Sequence, residues 1–192
     1  MEADQQTQRK GVVWQTVRQL VRQLEQLRVP YAVVGGIALQ HFRLERSTQD
    51  VDVLIGSAAD LKTIHDRLIG HGYLQKSPGS RHLRDEVTRV RVEFLIAGEF
   101  PGDGKPKAVA FPQPVSVAER SDEGIYFVTL KTLIELKLAS AKSAAHRIKD
   151  KADVLELIHL HGLTPGFASQ LNPYVQAEFQ ELALLPPPSE PD

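Results

Sequence analysis

Asp50 and Asp52 alternate with Val51 and Val53 in the run DVDVLI. On a β-strand, residues two apart point to the same face, so both carboxylates stand on one side and both valines on the other. Like charges this close are unfavourable unless water screens them or a cation sits between them. The pair reads either as a solvated strand end or as a site for Mg²⁺ (or Mn²⁺), a hard ion that takes carboxylate oxygens and keeps positions open for phosphate. Upstream, Gly35 and Gly36 follow the apolar run YAVV. Without Cβ atoms the chain can turn sharply there, and a phosphate can approach its amides at the start of the next helix. Alone, a glycine pair reads as a tight structural turn; ahead of RSTQDVD the phosphate reading gains weight.

The Gly-Gly turn, the short helical segment and Asp-x-Asp together resemble the DNA polymerase β-like nucleotidyltransferase superfamily. The stretch GGIALQHFRLERSTQDVDVLI looks most like the small bacterial nucleotidyltransferases, among them the AbiEii-type abortive-infection toxins, which carry Arg-x-Thr-x-Asp-x-Asp in this place. The resemblance implies an α/β (α+β) nucleotidyltransferase fold, a mixed β-sheet flanked by helices with a helical C-terminal part. It also implies roles. Gly35 and Gly36 hold the triphosphate, and Asp50 and Asp52 bind two metal ions. Arg46 contacts phosphate, and Thr48 caps or orients Asp50. Two metals then stabilise the attacking and leaving oxygens of an in-line displacement. For Arg46 and Thr48 a plain loop is the competing reading.

The superfamily's third carboxylate helps to bind one metal and activates the acceptor hydroxyl. Here it falls on Glu93 in VRVEFLIAG, where aspartate is expected. Val92 and Phe94 flank Glu93 as core residues, so it faces the other way. The extra methylene moves the carboxylate by about 1.5 Å, and a misplacement on the order of 1 Å can cost about 10²-fold in rate. Either the site accommodates glutamate or activity is weak or lost; Glu86 is the fallback. A second stretch, LKTLIELKLASAKSAAHRIKDKADVLELI, resembles the Arg-x-Lys-Asp-x-x-Asp region of the same small nucleotidyltransferases. That likeness assigns Lys137, Lys149 and Asp150 to the nucleotide, with Asp153 on the same helix face as Asp150. From Lys131 to Lys151, six Lys and Arg stand against two acids. Such a patch suits a triphosphate or an RNA backbone, or it is a solvated helix face with i,i+4 pairs.

The implied activity is transfer of a nucleoside monophosphate from an NTP to a hydroxyl on RNA, protein or a small molecule, with a toxin-like role and an antitoxin-like partner as refinements. The alternative is a non-catalytic module of the same fold that binds nucleotide or a protein partner.

These residues need elements to hold them. Apolar spacing predicts a helix over 12–27, ended by Pro30, then a buried strand over 31–34 and a short helix over 37–42. A strand follows over 51–55, a helix over 58–71, and strands over 84–87 and 90–96. EFPGDGKPKAVAFPQP reads as a loop, a rim from which Lys105 and Lys107 reach toward an acceptor. A strand is expected over 125–128, a helix from Thr129, another over 144–160, and a last one capped by Thr164 with Pro165 at its first position. One domain over 1–183 is expected, with its sheet core over about 29–128 and helices over about 129–183, before a disordered tail over 184–192. Trp14 reads as packing, His41 as a residue able to reach the cleft, and His159 and His161 as solvated residues at a helix end.

Composition narrows the classes. The 192 residues carry a net charge of -1 with 42% hydrophobic and 24% charged residues. No global field steers the chain to nucleic acid or membrane, so any such binding needs a local patch. There is no cysteine, which excludes disulfides and thiolate zinc sites and suits a reducing compartment. No apolar run approaches the ~18 residues of a membrane span, and MEADQQTQRK lacks an apolar signal core. A cytoplasmic protein is expected.

Overall fold

The computed structural model describes the backbone of residues 2–187 and the side chains of 10–187. The last part of the expected tail, 188–192, lies outside the described residues. The chain falls into two compact units. The first comprises residues up to His41, Glu45–Gly98 and Phe111–Thr129; the second comprises Phe42–Leu44, Glu99–Ala110 and the chain from Leu130 onward.

The first unit holds a seven-stranded sheet: β1 (Tyr31–Val34), β2 (Asp50–Ile55), β3 (Tyr73–Gln75), β4 (His82–Asp85), β5 (Arg91–Ile96), β6 (Ala118–Arg120) and β7 (Tyr126–Val128). Its order is β3-β4-β5-β2-β1-β7-β6. The β1–β7 and β2–β5 pairs are parallel and the other pairs antiparallel, so the sheet is mixed as expected. Every residue of β1 is buried, as a strand inside a sheet covered on both faces requires. Helix α1 (Glu2–Gln26) buries Val13, Val17, Leu20, Val21 and Leu24, the stripe that three- and four-residue spacing produces. It starts well before Val12 because the preceding Glu, Gln, Arg and Lys are themselves good helix formers. Helix α2 (Gly35–His41) follows β1 directly, and α3 (Ala58–Leu68) follows β2.

Several boundaries differ from expectation for local reasons. Helix α3 stops at Leu68, short of His71, because Ile69 turns extended and bridges to Tyr73. The strand expected over 84–87 is β4, which ends at Asp85. There Asp85 Oδ1 accepts the N–H groups of Val87 and Thr88, both at 2.9 Å, and turns the chain out of the sheet. Strands β3 and β6 and the one-turn helix α4 (Pro114–Val117) are too short for periodicity to reveal.

The second unit is helical: α5 (Leu130–Ser143), α6 (Ile148–His161) and α7 (Pro173–Ala183). Its core includes Leu133, Ile134, Leu138, Val154, Leu157, Val175 and Phe179. The helix expected over 144–160 begins with a 3₁₀ turn at Ala145–Arg147. Thr164 makes no capping bond, and Pro165 opens only a 3₁₀ turn, Pro165–Gln170. The cap-then-proline device operates one step later, at Asn172 and Pro173. Asn172 Oδ1 accepts from the Tyr174 N–H at 3.0 Å, and the Asn172 N–H is fixed on Glu135 Oε1 at 2.7 Å. No helix among the described residues is long and apolar enough to cross a membrane.

Candidate active site

The glycine turn and the aspartates meet at the junction of β1, α2 and β2. Gly35 has φ +66°, and a Cβ on it would lie 2.0 Å from Asp52 Oδ2. A side chain there meets backbone strain and would force the Asp52 carboxylate to shift. A Cβ on Gly36 would lie 2.6 Å from the Cβ of Thr48. The two glycines thus bring the start of α2 against Asp52 and Thr48. The Thr48 hydroxyl donates to the Asp50 carbonyl at 3.1 Å, fixing the entry to β2. The Arg46 carbonyl accepts from Gln40 Nε2 at 2.6 Å, which ties the Arg46 segment to α2.

Strand register decides what faces the acids. Asp52 lies beside Glu93 of β5, and Glu93 lies beside His82 of β4. One position along, Asp50 lies beside Arg91, Arg91 beside Arg84, and Arg84 beside Leu74 of β3. Residues directly opposite one another share a face, so two rows of side chains cross the sheet side by side. One reads His82, Glu93, Asp52; the other reads Leu74, Arg84, Arg91, Asp50. Val51, Val53, Val92 and Phe94 point the other way and are fully buried, which pins both acidic strands to the core.

Arg91 is the residue that sequence reasoning missed. Its guanidinium donates to Glu93 Oε2 at 3.0 Å and stands 3.9 Å from Asp50 Oδ2. It also donates to the His82 ring at 3.0 Å, and His82 Nδ1 lies 3.8 Å from Glu93 Oε2. The buried Nε–H of Arg91 meets no acceptor. The signal was present: Arg91 sits two residues before Glu93 on one strand and so shares its face. Glu86, the fallback acid, lies exposed in the turn after β4.

The donor chemistry fits a hard divalent ion. Asp50, Asp52 and Glu93 present carboxylate oxygens from neighbouring strands, and all three are partly exposed. A positive group, the Arg91 guanidinium, is already drawn between two of them. Among the described residues no three His, Cys, Asp or Glu are yet gathered closely enough to enclose a metal. Asp50 and Asp52 are the carboxylates that could hold such an ion, with Glu93, now paired to Arg91, beside them.

The second unit holds the other candidates. Lys137 is almost dry, with 11% of its side chain exposed, and its Nζ donates to Asp150 Oδ1 at 2.9 Å and Asp153 Oδ2 at 2.8 Å. Asp150 also accepts from Ser140 Oγ at 2.7 Å. This cluster clamps α5 to α6. Of the six basic residues between Lys131 and Lys151, Lys131 pairs with Glu135, Lys142 with Glu178 and Arg147 with Asp150. The patch is thus largely neutralised within its own unit. Lys149 is exposed and makes no ion pair among the described residues. Lys107 does not reach outward; its Nζ folds back onto the Pro101 carbonyl and Asp103, each at 2.7 Å.

In the first unit His41 stacks flat on Phe127 with centroids 4.1 Å apart, and burial holds its imidazole below the ordinary range against the opposing pull of Glu119 and Asp122. Trp14 donates to Gln40 Oε1 at 2.7 Å. At the end of α6, His159 lies 3.1 Å from the Leu185 carbonyl and His161 2.9 Å from that of Phe42.

The chain matches no protein-family profile and no curated protein. Solved structures do resemble it. An antigenic nucleotidyltransferase-like protein from Paracoccidioides brasiliensis superposes with a TM-score of 0.55 at 16% identity, over 88% of this chain and 85% of that one. ANT(2″)-Ia in complex with adenylyl-2″-tobramycin superposes with a TM-score of 0.51 at 10% identity, over 88% and 95%. The mixed seven-stranded sheet flanked by helices is the nucleotidyltransferase-like fold.

Proposed function

We propose that the chain is a metal-dependent nucleotidyltransferase that moves a nucleoside monophosphate from an NTP to a hydroxyl acceptor. One observation carries the reading: Gly35 at the start of α2 has no room for a Cβ because Asp52 stands there, while Asp50 and Glu93 flank Asp52 on the same sheet face. A phosphate-approach turn is thereby joined to a carboxylate set. Asp50, Asp52 and Glu93 would hold Mg²⁺ or Mn²⁺, which when bound neutralises phosphate charge and polarises the oxygens of an in-line displacement. Gly35 and Gly36 offer backbone amides to the triphosphate. Thr48 positions Asp50 through its backbone, and Arg46 is placed on the segment leading into that strand. Arg91, 3.0 Å from Glu93 and 3.9 Å from Asp50, would orient both carboxylates for the metal. Lys137, Asp150 and Lys149 have a second reading as nucleotide contacts, with the buried cluster orienting Lys149's turn.

The nucleotidyltransferase-like neighbours support the general class, and adenylyl-2″-tobramycin in ANT(2″)-Ia exemplifies a nucleotidylated acceptor. The AbiEii-type branch, a toxin-like role, an antitoxin-like partner and a cytoplasmic location rest on the sequence resemblance and the cysteine-free composition alone. The non-catalytic alternative is favoured by one observation, that Glu93 replaces aspartate and is paired to Arg91. Purified protein with Mg²⁺, each α-labelled NTP in turn and cellular RNA or lysate separates the two. Label on a macromolecule with wild type, and none with Asp50→Asn/Asp52→Asn, supports the enzyme. Mg²⁺-dependent nucleotide binding without transfer refutes it in favour of the binding module.

A further inference from the structure

Beside the acids, on the side away from the glycine turn, the sheet opens into a recess of about 540 Å³ whose lining includes Leu74, Lys76, His82, Arg84 and Arg91. That size matches pockets that take small ligands. Its chemistry is one-signed. Three of its side chains are permanent cations, His82 adds a titratable one, and none is an acid. Arg91 is compensated by Glu93 and Asp50. Arg84 donates only to the neutral Arg89 carbonyl, at 3.2 Å, and Lys76 has no ion pair among the described residues. Among the described residues, these two cationic charges therefore have no ion-pair partner, on a chain whose net charge is -1. Leu74, 42% exposed, supplies an apolar surface between them.

The recess is continuous with the candidate catalytic face, because Arg91 and His82 line it and also touch Glu93. The row Leu74, Arg84, Arg91, Asp50 runs from the apolar end of the recess to a metal ligand across neighbouring strands about 4.8 Å apart. The glycine turn, on the β1 side, serves the triphosphate; a hydroxyl acceptor must reach the acids from the other side. We infer, building on the nucleotidyltransferase reading, that this recess is the acceptor site and that the acceptor is a phosphate-bearing ribose. Arginine forks and a lysine ammonium bind phosphate oxygens, Leu74 receives the apolar face of a sugar or base, and the hydroxyl lies toward Glu93. The phosphate belongs either to a free ribose phosphate or to the end of a nucleic-acid strand. A polycationic acceptor such as tobramycin is repelled from this lining.

The test separates binding from transfer. Ribose 5-phosphate, ribose, tobramycin and a fluorescent 5′-phosphorylated RNA octamer are titrated into the full chain, wild type and Lys76→Ala/Arg84→Ala. Both side chains are exposed, so an unchanged melting temperature confirms an intact fold. Wild type is expected to bind a phosphate probe, and the variant to bind it about tenfold more weakly or worse. Displacement of the octamer by ribose 5-phosphate identifies the free sugar phosphate as sufficient, whereas binding of the octamer alone identifies a strand end. Equal affinity of wild type and variant, tighter binding of tobramycin, or no preference for ribose 5-phosphate or the octamer over ribose overturns the inference. NTP transfer that does not depend on Lys76 and Arg84 overturns it while leaving the nucleotidyltransferase standing. Phosphate binding lost in the variant, with no transfer from any NTP, refutes the enzyme and keeps the recess.

Discussion

Replacing Lys137 with methionine keeps the length of the side chain and removes its charge. In the native structure that charge sits 2.9 Å from Asp150 and 2.8 Å from Asp153, whose side chains are 14% and 6% exposed. Asp150 keeps Ser140 and, at 3.8 Å, Arg147, so its loss is partial; Asp153 loses its 2.8 Å ion pair with Lys137 in nearly dry surroundings. Removing one member of a buried ion pair costs about 3–5 kcal/mol because the remaining charge is left uncompensated. The retained contacts of Asp150 argue for the lower figure, about 3 kcal/mol, a large part of the 5–15 kcal/mol that stabilises a typical domain. With a urea slope of about 2 kcal/mol/M, the unfolding midpoint should fall by about 1.5 M. The triple variant Lys137→Met/Asp150→Asn/Asp153→Asn removes the stranded charges as well and should recover most of that loss. Urea unfolding followed by circular dichroism on the three proteins measures both effects. A midpoint drop under about 0.5 M for Lys137→Met would refute the structural role and return Lys137 to the nucleotide. A triple variant no more stable than the single one would show that packing, not charge, was lost.

Gly35→Ala forces a Cβ to 2.0 Å from Asp52 Oδ2, where ordinary contact begins near 3.4 Å, so the carboxylate must move by more than ~1 Å. Label transfer should fall about 10²-fold, while urea unfolding records only the ~1–2 kcal/mol of a left-handed alanine; wild-type transfer would show that the placement of Asp52 is immaterial. Glu93→Asp withdraws the carboxylate from Arg91 and should lower transfer about tenfold or more, measured with the same labelled NTPs; a gain in rate would instead identify glutamate as the defect of a degenerate site. Burial lowers the folded-state pKa of His41 and also of His65. As pH falls through about 6.5 the unfolded chain takes up these protons first, so stability is full above that pH and declines below it. Urea midpoints between about pH 8 and 5 should show this decline, and it should flatten in His41→Phe/His65→Phe; an unchanged slope would refute the assignment.

The parts of the site that sequence discloses are those set by local geometry. A period of two placed Asp50 with Asp52 and Val51 with Val53, and the buried valines confirm that alternation. What lies beside Asp52 depends on pairing between strands far apart in sequence, and no local pattern encodes that Glu93 falls at its level or His82 at the next. Lys137 shows a different limit. A lysine between two leucines shows a helix position but not its partners, and the pairing with Asp150 and Asp153 comes only with the approach of α6. The glycines were legible as a turn but not as a steric vacancy for Asp52, because that contact joins the start of α2 to β2.

The basic recess was illegible for a third reason. It is built from β3 and β4, a hairpin of three and four residues that falls below the length at which alternation can be recognised. This edge of the sheet is also where such a fold is free to vary. Strands β1, β2 and β5 are constrained by burial, whereas the β3–β4 hairpin is anchored on one face by Tyr73, Leu83 and Asp85 and its outward Leu74 and Arg84 can change sign without cost to the core. Chains that share this sheet at 10–16% identity need share no acceptor. The central strands carry whatever phosphoryl chemistry the site performs. Leu74, Lys76 and Arg84 at the edge decide what can be brought to it, and they present two positive charges without an ion pair among the described residues.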